Sequence, residues 1–279
     1  MPKITTVEQM RALEAAAHSH GVSYARMMEL AGTAVFETVH SRVEALSGTR
    51  MVILAGPGNN GGDGLVAGRL LAEAGAIIQL FTLSPRESGD NNLHKALRAG
   101  VEVEDCESDA GRKQFADALC WADVFVDALF GIGVRLPIKG RAADILVAAG
   151  EALRGREKVL RVAVDCPSGF DCDSGALDEN LLPADVTVTF GAAKVGQFLF
   201  PGADVLGELV LADIGWPKDL PALAGVDLEL ASAAQVGAML PERPRDAHKG
   251  TFGTALLVAG SVNYVGAAYL AAAGAYRVG

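Results

Sequence analysis

Between residues 51 and 164, short apolar runs alternate with helical patterns, and no other feature restricts the fold so tightly. Met51–Ala55, Ile77–Leu83, Val124–Leu129 and Val159–Val164 read as strands, with a brief further strand near Val101. Asp63–Ala74, Asn91–Ala99, Gly111–Trp121 and Arg141–Leu153 carry the intervening helical spacing. The strand runs lack a polar face, as expected where helices cover both sides of a parallel sheet. Such alternation predicts a doubly wound, Rossmann-like α/β sheet with right-handed crossovers. "ADVTVTFG" and "GELVLADIG" read as two further strands, and "DLELASAAQVGAML" as a short closing strand and helix.

Ahead of this region, Thr6-Val7-Glu8-Gln9 forms a capping-box pattern, which predicts a helix to about Ser19. A second helix is expected between Ser23 and Leu46, with Met28, Ala31, Val35, Val39 and Val43 on one buried stripe. Past the sheet region, the charged, twice-prolyl "PERPRDAHKG" (residues 241–250) reads as a linker between residues 1–240 and 251–279. "TALLVAGSVNYVGAAYLAAAGAYRVG" then begins a new strand–turn–helix. One such unit cannot bury its own faces, so it is expected to open a further domain.

The formal net charge of −10, from 24 basic against 34 acidic side chains, argues against a nucleic-acid surface. A single dinucleotide remains admissible, because backbone N–H groups can hold its phosphates. No apolar run approaches the roughly 18 residues that span a bilayer, so no membrane association is expected. "MPKITTVEQM" has no apolar signal core, which points to the cytoplasm. The four cysteines form no C-x-x-C pair and read as reduced thiols.

The stretch "LAGPGNNGGDGLVAGRLL" (residues 54–71) matches G-x-G-x-x-G through Gly56, Gly58 and Gly61. Glycines there let backbone N–H groups approach an anion, and the following helix adds its positive end. A nicotinamide dehydrogenase would also carry an acid at the end of the next strand to bind the ribose. Residues 76–83 read "AIIQLFTL" and have none. The turn instead holds Asn59, Asn60 and Asp63. A helix cap would account for Asp63, but not for two asparagines inside a glycine cluster. Asp127 before Gly131, Gly133 and Arg135, Asp165 before Pro167, Ser168 and Gly169, and Lys194 in "FGAAKVGQFLFPG" occupy similar places after strands. Ligands of open α/β sheets bind at such carboxyl ends, so the four loops are expected to share one pocket. Lys194 could add positive charge there or be a solvated loop lysine; Arg69 and Lys139 read as surface charges.

"GPGNNGGDGLVAGRLL", "VDALFGIGVRLP", "VDCPSGFDCDSG" and "FGAAKVGQFLFPG", in this order, resemble the YjeF N-terminal domain, the NAD(P)H-hydrate epimerase family. The resemblance runs from about Thr5 to Gly215 and takes in the opening helices. "HKGTFGTALLVAGSVNYVGAAYLAAAGAYRVG" resembles the start of the ribokinase-like, ADP-dependent dehydratase domain found in bifunctional repair enzymes.

The resemblance implies an isomerase acting on NADH or NADPH hydrated at carbon 6 of the nicotinamide ring (NADHX, NADPHX). It would interconvert R and S forms, and ADP or ATP would serve only the dehydratase domain. It assigns substrate contacts to Asn59, Asn60, Gly61, Gly62 and Asp63, to Gly131, Ile132, Gly133, Val134, Arg135, Leu136 and Pro137, and to Asp165. Inversion at carbon 6 needs a group that donates and accepts a proton, and Asp165 is the candidate. One potassium ion is implied, on side chains of Asn60, Asp127 and Ser168, all oxygen donors suited to a hard cation. Relatives often dimerise, so a homodimer or higher homo-oligomer is admissible. Two other readings stay open at this point: a nicotinamide dehydrogenase, and a non-catalytic binding module.

Overall fold

The computed structural model describes residues 2–87, 89–248 and 250–278. Lys249, in the expected linker, and Gly279, at the end of the tail, lie outside them. The chain divides into a unit of residues 1–230 and a unit of residues 231–279.

In the first unit, β1 (Ile4–Thr5) precedes α1 (Val7–Ser19) and α2 (Tyr24–His40). The Thr6 capping box forms as predicted, and Ser23 caps α2 through the Arg26 amide. Helix α2 stops at His40, short of the expected Leu46. The Ser41 hydroxyl and the Arg42 guanidinium both take the Thr38 carbonyl, closing the last turn.

The alternating region follows: β2 (Arg50–Ala55), α3 (Asn59–Glu73), β3 (Ile77–Thr82), α4 (Asn91–Arg98), β4 (Glu102–Asp105), α5 (Asp109–Leu119), β5 (Val124–Ala128), α6 (Arg141–Leu153) and β6 (Leu160–Val164). Then come β7 (Val186–Phe190), β8 (Ala193–Lys194) and β9 (Glu208–Ala212). Seven strands form one sheet in the order β4-β3-β2-β5-β6-β7-β9, and each neighbouring pair is parallel. The short strands β1 and β8 pair in parallel, fixing the amino terminus to the loop that carries Lys194.

Period-two alternation sorts the strand residues onto two cores. Met51, Ile53, Val124 and Val126 pack on one face with α1, α2 and α3; Val52, Leu54 and Phe125 pack on the other with α5 and α6. Burial on both faces explains why the strand runs carried no polar stripe.

Two expected strands do not form. The one in "DLELASAAQVGAML" reduces to an isolated Lys3–Glu229 bridge, followed in the second unit by α7 (Ala233–Met239). In that unit "TALLVAG" forms no strand, and α8 (Gly266–Val278) follows. A strand is defined by a paired neighbour, and none of the described residues of the second unit supplies one.

Phe115 of α5 is fully buried, edge-on to Phe81 at 5.3 Å and 6.4 Å from Phe125. Phe115→Ala is expected to cost about 3–5 kcal/mol in urea unfolding followed by circular dichroism, the range for emptying a packed aromatic site. Trp121→Ala, at a side chain 67% exposed, should cost less than about 0.5 kcal/mol.

Candidate functional site

The strand order reverses between β2 and β5: β3 and β4 continue to one side, β6, β7 and β9 to the other. The crevice at such a reversal is where open α/β sheets bind ligands. Here the loops after β2 and β5 meet almost backbone on backbone. A Cβ on Gly56 would lie 1.8 Å from the Leu129 carbonyl oxygen, so no side chain fits. Helix α3 begins at Asn59, with Gly58 as its cap, rather than at the predicted Asp63. Asp63 is therefore a helical residue and not the cap. Asn59, Asn60 and Gly61 fill the first turn, where backbone N–H groups lack intrahelical acceptors.

The ends of β5 and β6 are joined by one carboxylate. Asp127 is buried and accepts from the Ser168 amide at 2.7 Å, the Ser168 hydroxyl at 2.6 Å and the Leu129 amide at 3.2 Å. Burial pushes its carboxyl pKa up, against the pull of these hydrogen bonds. Ser168 Oγ in turn accepts from the Phe130 amide at 2.9 Å. At the next residue, a Cβ on Gly131 would lie 3.0 Å from Asn60 Oδ1 and 3.2 Å from Asp165 Oδ2. Asn60, Asp127 and Ser168 thus converge on the Phe130–Gly131 turn, with Asp165 beside it. Asn60 Nδ2 is buried with no hydrogen-bond partner.

Asp165 follows β6 with φ of 67°, the left-handed region, which is rare for a residue bearing a side chain. Its Oδ1 accepts from Lys194 Nζ at 2.5 Å and from the Thr189 hydroxyl at 3.2 Å. Lys194 Nζ also donates to Thr189 Oγ1 at 2.7 Å and to the Phe190 carbonyl at 3.3 Å. Gln197 Nε2 donates to the Asp165 carbonyl and to Thr189 Oγ1. Lys194 is 0% exposed, which rules out the solvated-lysine alternative.

Asp63 and Glu14 line a small pocket with Asn59 and the apolar side chains Met27, Met28 and Phe190. Burial, then the charges of Asp165 and Glu14, push the Asp63 carboxyl well above its usual range. Burial, then Asp165, raises Glu14, against Lys194 and Arg11. On the other side, Gly133, Val134 and Arg135 line a cleft of about 240 Å³ together with Arg11 of α1. Of the expected substrate loop, Gly133, Arg135 and Pro137 are exposed, while Gly131, Ile132, Val134 and Leu136 are half-buried. Val134 and Leu136 pack against the α5–α6 core, and Ile132 against the opposite one.

Gly61 and Gly62 are buried in α3, whereas Lys139 is exposed as expected. Arg69 is not a free surface charge: its side chain is 13% exposed and ion-paired with Glu29 and Glu73. Thr189, Gln197, Glu14 and Arg11 were not anticipated as site residues. Glu14 borders the buried stripe Met10, Leu13 and Ala17, a weak signal. Thr189 sat in a strand of alternating valine and threonine, ordinary β-formers, and Gln197 gave no signal.

A bifunctional NAD(P)H-hydrate repair enzyme of Thermofilum pendens is 35% identical over 275 residues, 96% of this chain and 50% of its own. The chain spans about half the length of such bifunctional relatives. An NAD(P)H-hydrate epimerase of Roseobacter litoralis is 37% identical over 233 residues, covering 77% of this chain and 100% of its own. The crystal structure of yeast YNL200c superimposes with a TM-score of 0.66 at 22% identity, covering 84% of this chain and 98% of its own, which shows the shared fold. The family model described as YjeF-related protein N-terminus matches residues 24–196, and this chain belongs to that family.

Proposed function

We propose that this chain epimerises NAD(P)H-hydrate, interconverting the R and S forms at carbon 6 of the nicotinamide ring. The observation that carries this reading is the pair of unlike oxygens on Asp165. Oδ1 is occupied by Lys194 and Thr189, while Oδ2 lies beside Gly131 and Asn60 at the crevice. A carboxylate oxygen so placed accepts the proton of the carbon 6 hydroxyl as the carbonyl forms and the bond from carbon 6 to the ring nitrogen breaks, its electron pair going to that nitrogen; when the nitrogen closes on the other face of the carbonyl, the proton returns to the oxygen. Atoms and electrons balance without a redox cofactor. The glycine-rich turn after β5, with Arg135 and Arg11 flanking its cleft, suits the substrate's diphosphate.

The residues fit the implied potassium ion. The donor set is one carboxylate, one amide oxygen and one hydroxyl, hard oxygens of the kind such an ion takes, and Asn60 Oδ1 lies beside the Gly131 turn. Asn60, Asp127 and Ser168 would hold the ion, which when bound supplies positive charge against a buried carboxylate. Residues 251–279 resemble only the opening of the dehydratase domain. On this proposal the ADP- or ATP-dependent lyase step belongs to a chain carrying that domain in full.

Purified protein mixed with (R)-NADHX and followed by HPLC should yield the S form faster than the spontaneous reaction. Asp165→Asn, which keeps the side chain's shape, should lower kcat by about 10²–10⁴-fold. A wild-type rate equal to the uncatalysed one rejects the function; an unimpaired Asp165→Asn rejects the assignment. Potassium should raise the thermal midpoint relative to choline, by about 2.7 kcal/mol of stabilisation at a hundredfold excess over Kd. Asp127→Ala should abolish that response, and an equal response in the variant would reject the ligand set.

Burial also gives Asp63 a pH signature. Below the unfolded carboxyl's pKa of about 3.9 both states are protonated, and its contribution to stability is fully present. As pH rises through the elevated folded pKa, the unfolded chain ionises freely while the folded one must bury a charge, and stability is lost. Without substrate, Asp63→Asn should therefore melt higher than wild type at neutral pH, the gap closing towards pH of about 3.5. A gap that widens on acidification would contradict this.

A further inference from the structure

Lys194 is buried at the foot of the site. Three acceptors take its ammonium: Asp165 Oδ1 at 2.5 Å, Thr189 Oγ1 at 2.7 Å and the Phe190 carbonyl at 3.3 Å. An ammonium has three donors, so none is left for a substrate. Its charge can act only through what it touches, and the ionised group among its partners is Asp165.

The neighbouring polar groups close on the same residue. Gln197 Oε1 accepts from the Lys194 amide at 2.9 Å, while its Nε2 reaches the Asp165 carbonyl at 3.1 Å and Thr189 Oγ1 at 3.2 Å. The Asp165 amide donates to the Val188 carbonyl at 2.7 Å. Backbone and side chain of Asp165 are thus gripped together, in a conformation an aspartate rarely adopts. The grip is tied to the amino terminus, since Thr5 pairs with Lys194 in the β1–β8 ladder and Thr5 Oγ1 donates to the Ala193 carbonyl.

We propose that Lys194, with Thr189 and Gln197, is a positioning residue of the epimerase reaction: it occupies Oδ1 of Asp165 so that Oδ2 alone faces the reacting carbon. This rests on the reading of Asp165 as the proton-transfer group. It differs from a role for Lys194 in holding the substrate diphosphate, because a saturated ammonium cannot also bind phosphate.

Steady-state kinetics on the purified chain with (R)-NADHX tests it. Lys194→Ala is expected to lower kcat about 100-fold, the cost of a small misplacement of a reacting group, with KM within about threefold. Ethylammonium, which can occupy the space left by the lysine side chain, should restore part of the lost kcat, and tetramethylammonium should not. Should Lys194→Ala fail to fold, Thr189→Val serves instead. It removes the hydroxyl bridging Lys194 and Asp165 without changing shape, and kcat is expected to fall about tenfold at constant KM. A raised KM at unchanged kcat, or a full kcat in a folded Lys194→Ala, overturns the proposal while leaving the epimerase reading intact. A wild-type protein without activity brings down both.

Discussion

The site depends on one buried carboxylate. Asp127 has two oxygens and accepts three donors from two other loop positions, which locks the end of β5 to the turn after β6. Everything beyond is positioned in sequence: Ser168 holds the Phe130 amide, Phe130 precedes Gly131, and Gly131 lies under Asn60 and Asp165. Burying a carboxylate is unfavourable even when it is hydrogen-bonded, and its raised pKa expresses that cost. Beside it, Asn60 Nδ2 is buried and meets no hydrogen-bond partner among the described residues.

A second constraint is conformational. A left-handed backbone at a residue with a side chain costs on the order of 1–3 kcal/mol and persists only where its surroundings over-determine it. At Asp165 those surroundings are the amide bond to Val188, the Gln197 amide on its carbonyl and the ion pair with Lys194. The two-residue β1–β8 ladder, trivial by length, matters because it holds the loop bearing Lys194.

The middle of the sheet was legible from the sequence because β2, β5 and the end of β6 are buried on both faces and read as apolar runs, whereas the edge strand β4 (Glu102–Asp105) is half-exposed and gave only a brief signal. Helix α6 falls on its expected bounds, Arg141–Leu153. Thr189 was overlooked for another reason: with Thr187 it forms the hydroxyl-bearing face of β7, and threonine is ordinary in strands, so nothing marked that face as buried against a charged pair. The start of α3 was misplaced because glycines argue against a helix locally, while tertiary packing against the β5 loop favours one there. Motif order identified Asn60, Asp127, Asp165 and Ser168 as candidates. Nothing in the sequence separates a buried lysine from a solvated one in a glycine-flanked loop, since the Lys194 ammonium is enclosed by Asp165, Thr189 and the Phe190 carbonyl, and its backbone pairs with β1, nearly two hundred residues away. The tail failed as a strand for a related reason: strand propensity is expressed only beside a partner.

Three carboxyls, Asp165, Asp63 and Glu14, interact across the crevice, and among the described residues Lys194 is the one buried cation. Its ammonium is committed to Asp165 by direct contact. Asp63 receives no ion pair and feels the negative charge of Asp165, so together with burial its proton is held to higher pH. The crevice therefore contains a paired carboxylate and a carboxyl biased towards its acid form, on neighbouring walls. That difference follows from where one lysine sits: Lys194 contacts Asp165 directly and only moderates the rise at Asp63 from a distance.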